Sequence, residues 1–200
     1  MKYYVLRQDM SNDRANGWYF GAIRHLDNWR FIEPHIEDME PCTYTVNIFQ
    51  DGNELDFSQL ATISVPIVSK KFKQALAGLW EVDEPYKNIV MEPVVIAGKE
   101  GKQDYFVMIV ETQIDCVDEE KSDFEKFENN DPVRPDLAGE YRGFFSLVID
   151  PSKVGDHHIF RIKKSSTTLI VSEEVKRRIE AAGVTGASFE SVNGDARTVA

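Results

Sequence analysis

Two strongly apolar runs mark the segments that we predict to lie at the centre of a β-sheet. One is the core of 104–115 (DYFVMIVETQID), and the other is 143–150 (GFFSLVID). Such runs are typical of strands that are covered on both faces. Shorter stretches that are rich in aromatic and β-branched residues predict further strands. These lie at 2–7, 43–49, 62–68, 88–96, 158–163, 167–171 and 187–192.

Two segments show helical signals instead. After Ser69, an N-cap candidate, apolar residues recur at i, i+3, i+4 and i+7, which predicts a helix over 70–79. After Ser172, a second N-cap candidate, acidic residues occupy the first turn and Gly183 suits the C-terminal cap. We therefore predict a second helix over 173–182.

The two helical segments resemble each other, because Ile67-Val68-Ser69 corresponds to Ile170-Val171-Ser172 and each helix is followed by a predicted strand. An internal duplication into two related strand–helix–strand units is our hypothesis. We expect an α+β fold with a single mixed sheet, built around Tyr105–Val110 and Phe144–Ile149, and two main helices. If the strands of a unit are parallel neighbours, its crossover is right-handed. The pattern does not give the strand order.

The length of 200 residues fits a single domain. We expect this domain to span 1–192, with halves 1–100 and 101–192 if the duplication is genuine. A flexible tail is expected at 193–200. A chain of this length buries roughly 70% of the surface that it exposes when unfolded, so its core is sufficient without disulfides or metals.

The net charge of −11, from 34 acidic and 23 basic residues, restricts the partners. Phosphate groups are bound by clustered Lys and Arg, so we expect no nucleic-acid partner and no binding to an anionic membrane. A basic partner would be attracted at long range. The alternative is that the acidity serves only solubility.

The chain contains no apolar run close to the roughly 18 residues that a membrane helix requires. Its first residues also lack the apolar segment of a signal peptide. Cys42 and Cys116 are the two cysteines of the sequence, and so low a number favours a reducing compartment. The sequence does not decide whether they form a disulfide bond. We expect a soluble, cytoplasmic protein.

No catalytic motif stands out. The sequence has no phosphate-binding loop, no nucleophile elbow and no zinc-protease motif. His157 and His158 are adjacent and would point to opposite faces of a strand, which disfavours a shared metal. Asp115 is expected to raise the pKa of Cys116 and blunt its thiolate. We predict a protein without enzymatic activity, cofactor or metal.

The segment 115–131 carries eight acidic residues against two lysines, a net charge of −6. We treat it as a candidate surface for a protein partner, with two phenylalanines as aromatic anchors. A second, weaker candidate is 33–40, and either run could be an ordinary solvated loop or helix face. The site residues predicted for the first run are Asp118, Glu119, Glu120, Asp123, Phe124, Glu125, Phe127 and Glu128.

Several short motifs, strongest near the C-terminus, resemble a family of bacterial polymorphic-toxin immunity proteins. This family was formerly a domain of unknown function and is typified by a myxobacterial member. The motifs are Tyr3-Tyr4-Val5-Leu6, Val68-Ser69 with Phe72 and Leu76, Tyr105-Phe106 leading to Ile114-Asp115, Ile159-Phe160-Arg161, and Ile170-Val171-Ser172 running to Gly183-Val184-Thr185-Gly186 and Phe189.

The resemblance implies a cognate protein toxin as the partner, which the protein would neutralise by occluding the active site. If that toxin is a nuclease, its active site is basic and suits the acidic run. One alternative is a general protein-binding adaptor. Another is a small hydrolase or transferase, which a deep pocket lined by His35 or His157 would favour. The sequence does not decide between a monomer and a homo-oligomer.

Overall fold

The computed structural model describes residues 1–9, 17–24, 35–39, 42–60, 65–84, 87–99 and 104–192. The predicted tail at 193–200 lies outside these ranges, as do residues 33, 34 and 40 of the second acidic candidate. Within the described ranges strands predominate over helices, and they form three sheets.

The described part of the chain contains thirteen strands and three α-helices. The strands are β1 Tyr3–Gln8, β2 Tyr19–Ile23, β3 Tyr44–Gln50, β4 Phe57–Gln59, β5 Pro66–Ser69, β6 Ile89–Ile96, β7 Tyr105–Val110, β8 Gln113–Ile114, β9 Asp123–Lys126, β10 Tyr141–Ser146, β11 Ile159–Ile162, β12 Ser165–Ser172 and β13 Ala187–Ser191. The helices are α1 Lys70–Ala75, α2 Trp80–Asp83 and α3 Glu173–Ala181.

The largest sheet has six strands in the order β2-β3-β6-β7-β5-β4. Its neighbours are antiparallel except β3 and β6, which run parallel. Alternate residues of the central strand β7 lie on opposite faces of the sheet, and both faces are buried. One of these faces carries Val107. The core on this face includes Trp18, Phe20, Val46, Ile67 and Val107.

The second sheet has five strands in the order β13-β1-β12-β11-β8. Strand β1 lies between two strands from the far end of the chain and is antiparallel to both. Its ladder with β12 is short, running from Tyr3 opposite Ser172 to Val5 opposite Ile170. Beyond these residues β1 continues to pair with β13 alone.

The five-stranded sheet is covered on both faces. On one side Ile159 and Leu169 join the helical residues Phe72 and Val175 in a shared core. On the other side Phe160 and its neighbours pack against residues of the two-stranded sheet formed by β9 and β10. We call this sheet, together with the turns at either end of β9, the ribbon. The central strands of the five-stranded sheet are therefore buried on both faces, which is consistent with the four buried residues of β11 and with the apolar segment Leu169–Val171 of β12.

The predicted fold class is wrong. The described residues form a mostly β structure of three sheets rather than a single mixed sheet with two main helices. Tyr105–Val110 is a strand of the six-stranded sheet, whereas Phe144 belongs to the separate ribbon. An apolar run predicts burial, which holds for Tyr105–Val110 and fails for much of Phe144–Ile149, and it does not show which segments pair.

Both predicted N-caps are confirmed, but the first helix is shorter than predicted. The Ser69 hydroxyl accepts a hydrogen bond from the Phe72 N–H, and the Ser172 hydroxyl accepts one from the Val175 N–H. Helix α1 ends at Ala75, and Leu79 takes an extended backbone as the residue preceding α2. Leu79 is buried as the spacing predicted, but it lies at the start of α2 and not in α1.

The two strand–helix–strand segments share a topology. Strands β5 and β6 are both antiparallel to β7, which lies between them. Strands β12 and β13 are likewise both antiparallel to β1, which lies between them. In each unit the helix therefore joins two parallel strands that are separated by one strand, so the expected crossover between direct neighbours does not occur.

Candidate functional site

The acidic run 115–131 builds one strand of the ribbon and the turns at either end of it. Along β9 exposure alternates, with Asp123 and Glu125 exposed and Phe124 half-buried. The Phe124 ring stands perpendicular to Tyr141 with 5.2 Å between centroids. The ribbon thus has an aromatic side toward the five-stranded sheet and an acidic side toward solvent.

Three of the predicted acids are held by cations of the ribbon. Asp118 accepts a hydrogen bond of 2.6 Å from Lys121, and Glu119 accepts one of 2.6 Å from Lys126. Glu125 accepts one of 3.2 Å from Arg142. The lysine hydrogen bonds lower the pKa values of Asp118 and Glu119, so both stay ionised at neutral pH.

The Glu119 carboxylate also joins the acidic and aromatic sides of the ribbon. It accepts a hydrogen bond of 2.6 Å from the Tyr141 hydroxyl. Burial and this hydrogen bond raise the pKa of Tyr141 well above its usual range. Tyr141 therefore remains a protonated donor and holds the carboxylate in place.

Three other predicted acids are exposed: Glu120, Asp123 and Glu128. Within the described ranges their side chains form no ion pair. No cation holds these three carboxylates at contact distance, so they are the members of the run best placed to act on a partner.

The two predicted anchors, Phe124 and Phe127, are both half-buried within the ribbon. Phe127 lies under the Arg142 guanidinium, whose carbon is 4.8 Å from the ring centroid. Arg142 in turn donates a hydrogen bond of 2.7 Å to the buried Asp131. Both aromatic side chains thus already have intramolecular contacts that stabilise the ribbon.

Sequence reasoning missed Phe145, which is 67% exposed. Irregular pairing of β10 with β9 leaves Phe145 outside the register, between Phe144 opposite Phe124 and Ser146 opposite Asp123. A bulge of this kind re-aims a side chain. The apolar run at 143–150 predicts burial, and no local signal marks the bulge.

A cleft of about 310 Å³ lies where β1 and β12 separate and where β10 and β4 approach them. Its apolar part consists of Val5, Gly143 and Phe144. Residues from four distant segments supply its polar lining, so the sequence offered no pattern for it. They are Arg7, Gln59, Arg142, Ser165, Thr167 and Thr168.

His157, His158 and Cys116 are held by structural surroundings rather than placed in the cleft. His158 Nδ1 lies 2.9 Å from the buried Ser172 hydroxyl, and the His157 ring packs on Trp80. Burial, followed by the charge of Asp115, raises the pKa of Cys116 to about 12, which confirms the expected direction. The cleft is lined by neither His35 nor His157. Among the residues that the structure describes, no group of metal-ligating side chains is found.

These features define a mostly β protein that presents an acidic ribbon to solvent. Residues 12–194 match the model of an immunity protein family, Imm11, and the chain belongs to that family. The resemblance drawn from the sequence is thereby confirmed. A comparison with curated proteins finds no match. No helix within the described ranges has the length and apolar character needed to cross a membrane.

Proposed function

We propose that this protein binds a cognate bacterial toxin and neutralises it by occluding the active site, without catalysis and in the cytoplasm. Membership of an immunity protein family supports a toxin partner. The acidic side of the ribbon supports a basic one, such as a nuclease domain. Opposite charges on two surfaces raise the association rate and disfavour wrong partners.

The observation that carries this proposal is the set of three exposed acids without an ion pair in the described ranges, Glu120, Asp123 and Glu128. Their charges act at long range, whereas the paired Asp118, Glu119 and Glu125 present acceptor atoms at contact distance. A neutralising complex requires a standard interface of about 1,600 Å², so the ribbon would form only part of it.

The test is the association rate with the toxin domain encoded by the adjacent gene, used in a catalytically inactive form. We expect the triple variant Glu120→Gln, Asp123→Asn, Glu128→Gln to associate about 10-fold more slowly at low salt, with a weaker salt dependence. Its free energy of unfolding should stay unchanged, because these side chains have no ion pair to lose.

The matched control neutralises three acids outside the ribbon: Glu84→Gln, Asp104→Asn, Glu180→Gln. Each side chain is more than half exposed and has only a surface ion pair. The control changes the net charge equally, so it should slow association much less. Equal rates for the two triple variants would remove the ribbon as the binding surface, and a wild-type protein that fails to bind the toxin would refute the function.

A further inference from the structure

The cleft between β1 and β12 is rich in hydrogen-bond donors. A guanidinium has five N–H donors and no acceptor. Two nitrogens of the Arg142 guanidinium already donate hydrogen bonds, one to Glu125 and one to Asp131. Glu190 lies 3.7 Å from the Arg7 Nη1 atom, beyond hydrogen-bond distance, so that contact engages none of the Arg7 donors. A group that only accepts hydrogen bonds, such as a carboxylate, complements such a lining.

The two arginines are prepared for such a group in different ways. Arg142 is fixed, because Asp131 is buried and Phe127 packs under the guanidinium. Arg7 can reorient at little cost, because its side chain and that of Glu190 are both about half exposed. Exposed ion pairs of this kind contribute little to stability. The exposed Thr167 adds a hydroxyl at the rim.

The charges around the cleft indicate which kind of carboxylate can bind. Glu125, Asp131 and Glu190 stand beside the two arginines, so the local charge is negative. A small free anion gains little there. An acidic side chain on an otherwise basic protein surface is different, since the surrounding basic residues of that surface pair with the ribbon.

We propose that this cleft receives a carboxylate side chain of the toxin, an inference that rests on the proposed function. The acidic ribbon would attract any basic toxin, whereas the cleft requires one acidic residue at one place on that toxin. A toxin without it would cover the two arginines and leave them without a new acceptor. Such a mismatch is an effective means of discriminating between related partners.

The decisive variant is Arg7→Gln, because two effects on toxin affinity have opposite signs. Removing a positive charge makes the protein more acidic, which strengthens long-range attraction to a basic toxin. Losing the guanidinium removes a charge-assisted contact, which weakens binding. We expect the dissociation constant to rise about 10- to 100-fold, mainly through faster dissociation.

Arg177→Gln is the matched control, since Arg177 is 67% exposed on α3 and carries the same charge. This control should leave the affinity unchanged or raise it slightly. Thr167→Val removes the rim hydroxyl at constant charge and should weaken binding severalfold. Thermal unfolding of all three variants, which we expect to match the wild type, separates binding effects from misfolding.

If Arg7→Gln and Thr167→Val both bind the toxin as tightly as the wild type, the cleft proposal is wrong while the proposed function stands. If the wild type does not bind the toxin at all, both fail. A further arm titrates the free protein with inorganic phosphate and follows the Arg7 side-chain N–H signal by NMR. Saturation at low millimolar phosphate would indicate a site for small anions and would overturn the proposal.

Discussion

The side chains of Gln8 and Gln59 each accept a hydrogen bond from the other residue's backbone N–H, across the junction of the two large sheets. The Gln8 N–H donates to the Gln59 side-chain oxygen at 3.2 Å, and the Gln59 N–H donates to the Gln8 side-chain oxygen at 3.0 Å. The two residues end β1 and β4, where backbone groups at a strand terminus would otherwise need solvent. This reciprocal pair fixes one wall of the cleft.

We expect Gln59→Ala to lower the free energy of unfolding by about 1–2 kcal/mol, because the Gln8 N–H loses its acceptor in a partly buried place. Denaturant unfolding measures this change. Gln74→Ala is the control, since Gln74 is exposed on α1 and should lose almost nothing. A loss for Gln59→Ala as small as that of the control would contradict the role of the pair.

The Asp56 side chain links the two strand–helix units. It accepts hydrogen bonds from the Ser69 hydroxyl at 2.7 Å and from both the N–H and the hydroxyl of Thr185, and Lys71 lies 2.7 Å away. We expect Asp56→Asn to cost about 2–4 kcal/mol, because an amide group replaces an acceptor that is fully used and Lys71 loses its partner.

The same residue predicts an acid-sensitive fold. Burial alone would raise the pKa of Asp56, but the hydrogen bonds from Lys71, Thr185 and Ser69 outweigh it and lower the pKa. This stabilisation is present above the unfolded-state pKa of about 3.9 and disappears as the pH falls through the folded-state value. Unfolding free energies between pH 6 and pH 2 should fall less steeply for Asp56→Asn than for the wild type. Parallel curves would exclude Asp56 as a source of acid sensitivity.

Gly186 is required where the C-terminal segment passes β4. Its φ is +84°, and a Cβ there would lie 2.4 Å from the Phe57 carbonyl oxygen. Gly186→Ala should cost more than about 2 kcal/mol, from backbone strain and the clash together. Gly183→Ala provides the comparison, because φ is +63° there but nothing lies within 4 Å. Equal losses in thermal unfolding would argue that the close approach is unimportant.

A substitution at Phe145 is expected to change toxin affinity without changing the free energy of unfolding. The side chain is 67% exposed, so Phe145→Ser should change the unfolding free energy by less than about 0.5 kcal/mol. If the ribbon contacts the toxin, the same change should weaken toxin binding about 10-fold, as is usual for an aromatic anchor. Phe49→Ser, at an 81% exposed position on β3, is the control and should bind normally. Identical affinities for the two variants would place Phe145 outside the interface.

Local features of this fold could be predicted, and long-range ones could not. The helix starts after Ser69 and Ser172 were found because capping depends on neighbours within three residues. The strand Tyr105–Val110 was found from its apolar run. The division into three sheets depends on pairings such as Tyr4 with Val171, which no local pattern encodes.

The same distinction applies to the site. The acidic run was visible as composition, and its position on a ribbon was not. The cleft brings together Arg7, Arg142 and Thr167, which are separated by up to 160 positions along the chain. The bulge at Phe145 depends on how β10 pairs with β9. Composition could therefore indicate a charged surface, while the shape of that surface required the tertiary structure.

The central position of β1 has a consequence for synthesis. Tyr3–Gln8 is among the earliest of these segments to leave the ribosome, yet both of its neighbours in the sheet lie beyond residue 164. The five-stranded sheet therefore cannot form until the chain has been synthesised past β13, and β1 stays without its partner strands until then. Long-range pairing of this kind slows folding and exposes apolar strands in the interim. If β1 and its neighbours support the proposed binding surface, only chains that extend past residue 191 can bind a partner, and shorter nascent chains cannot.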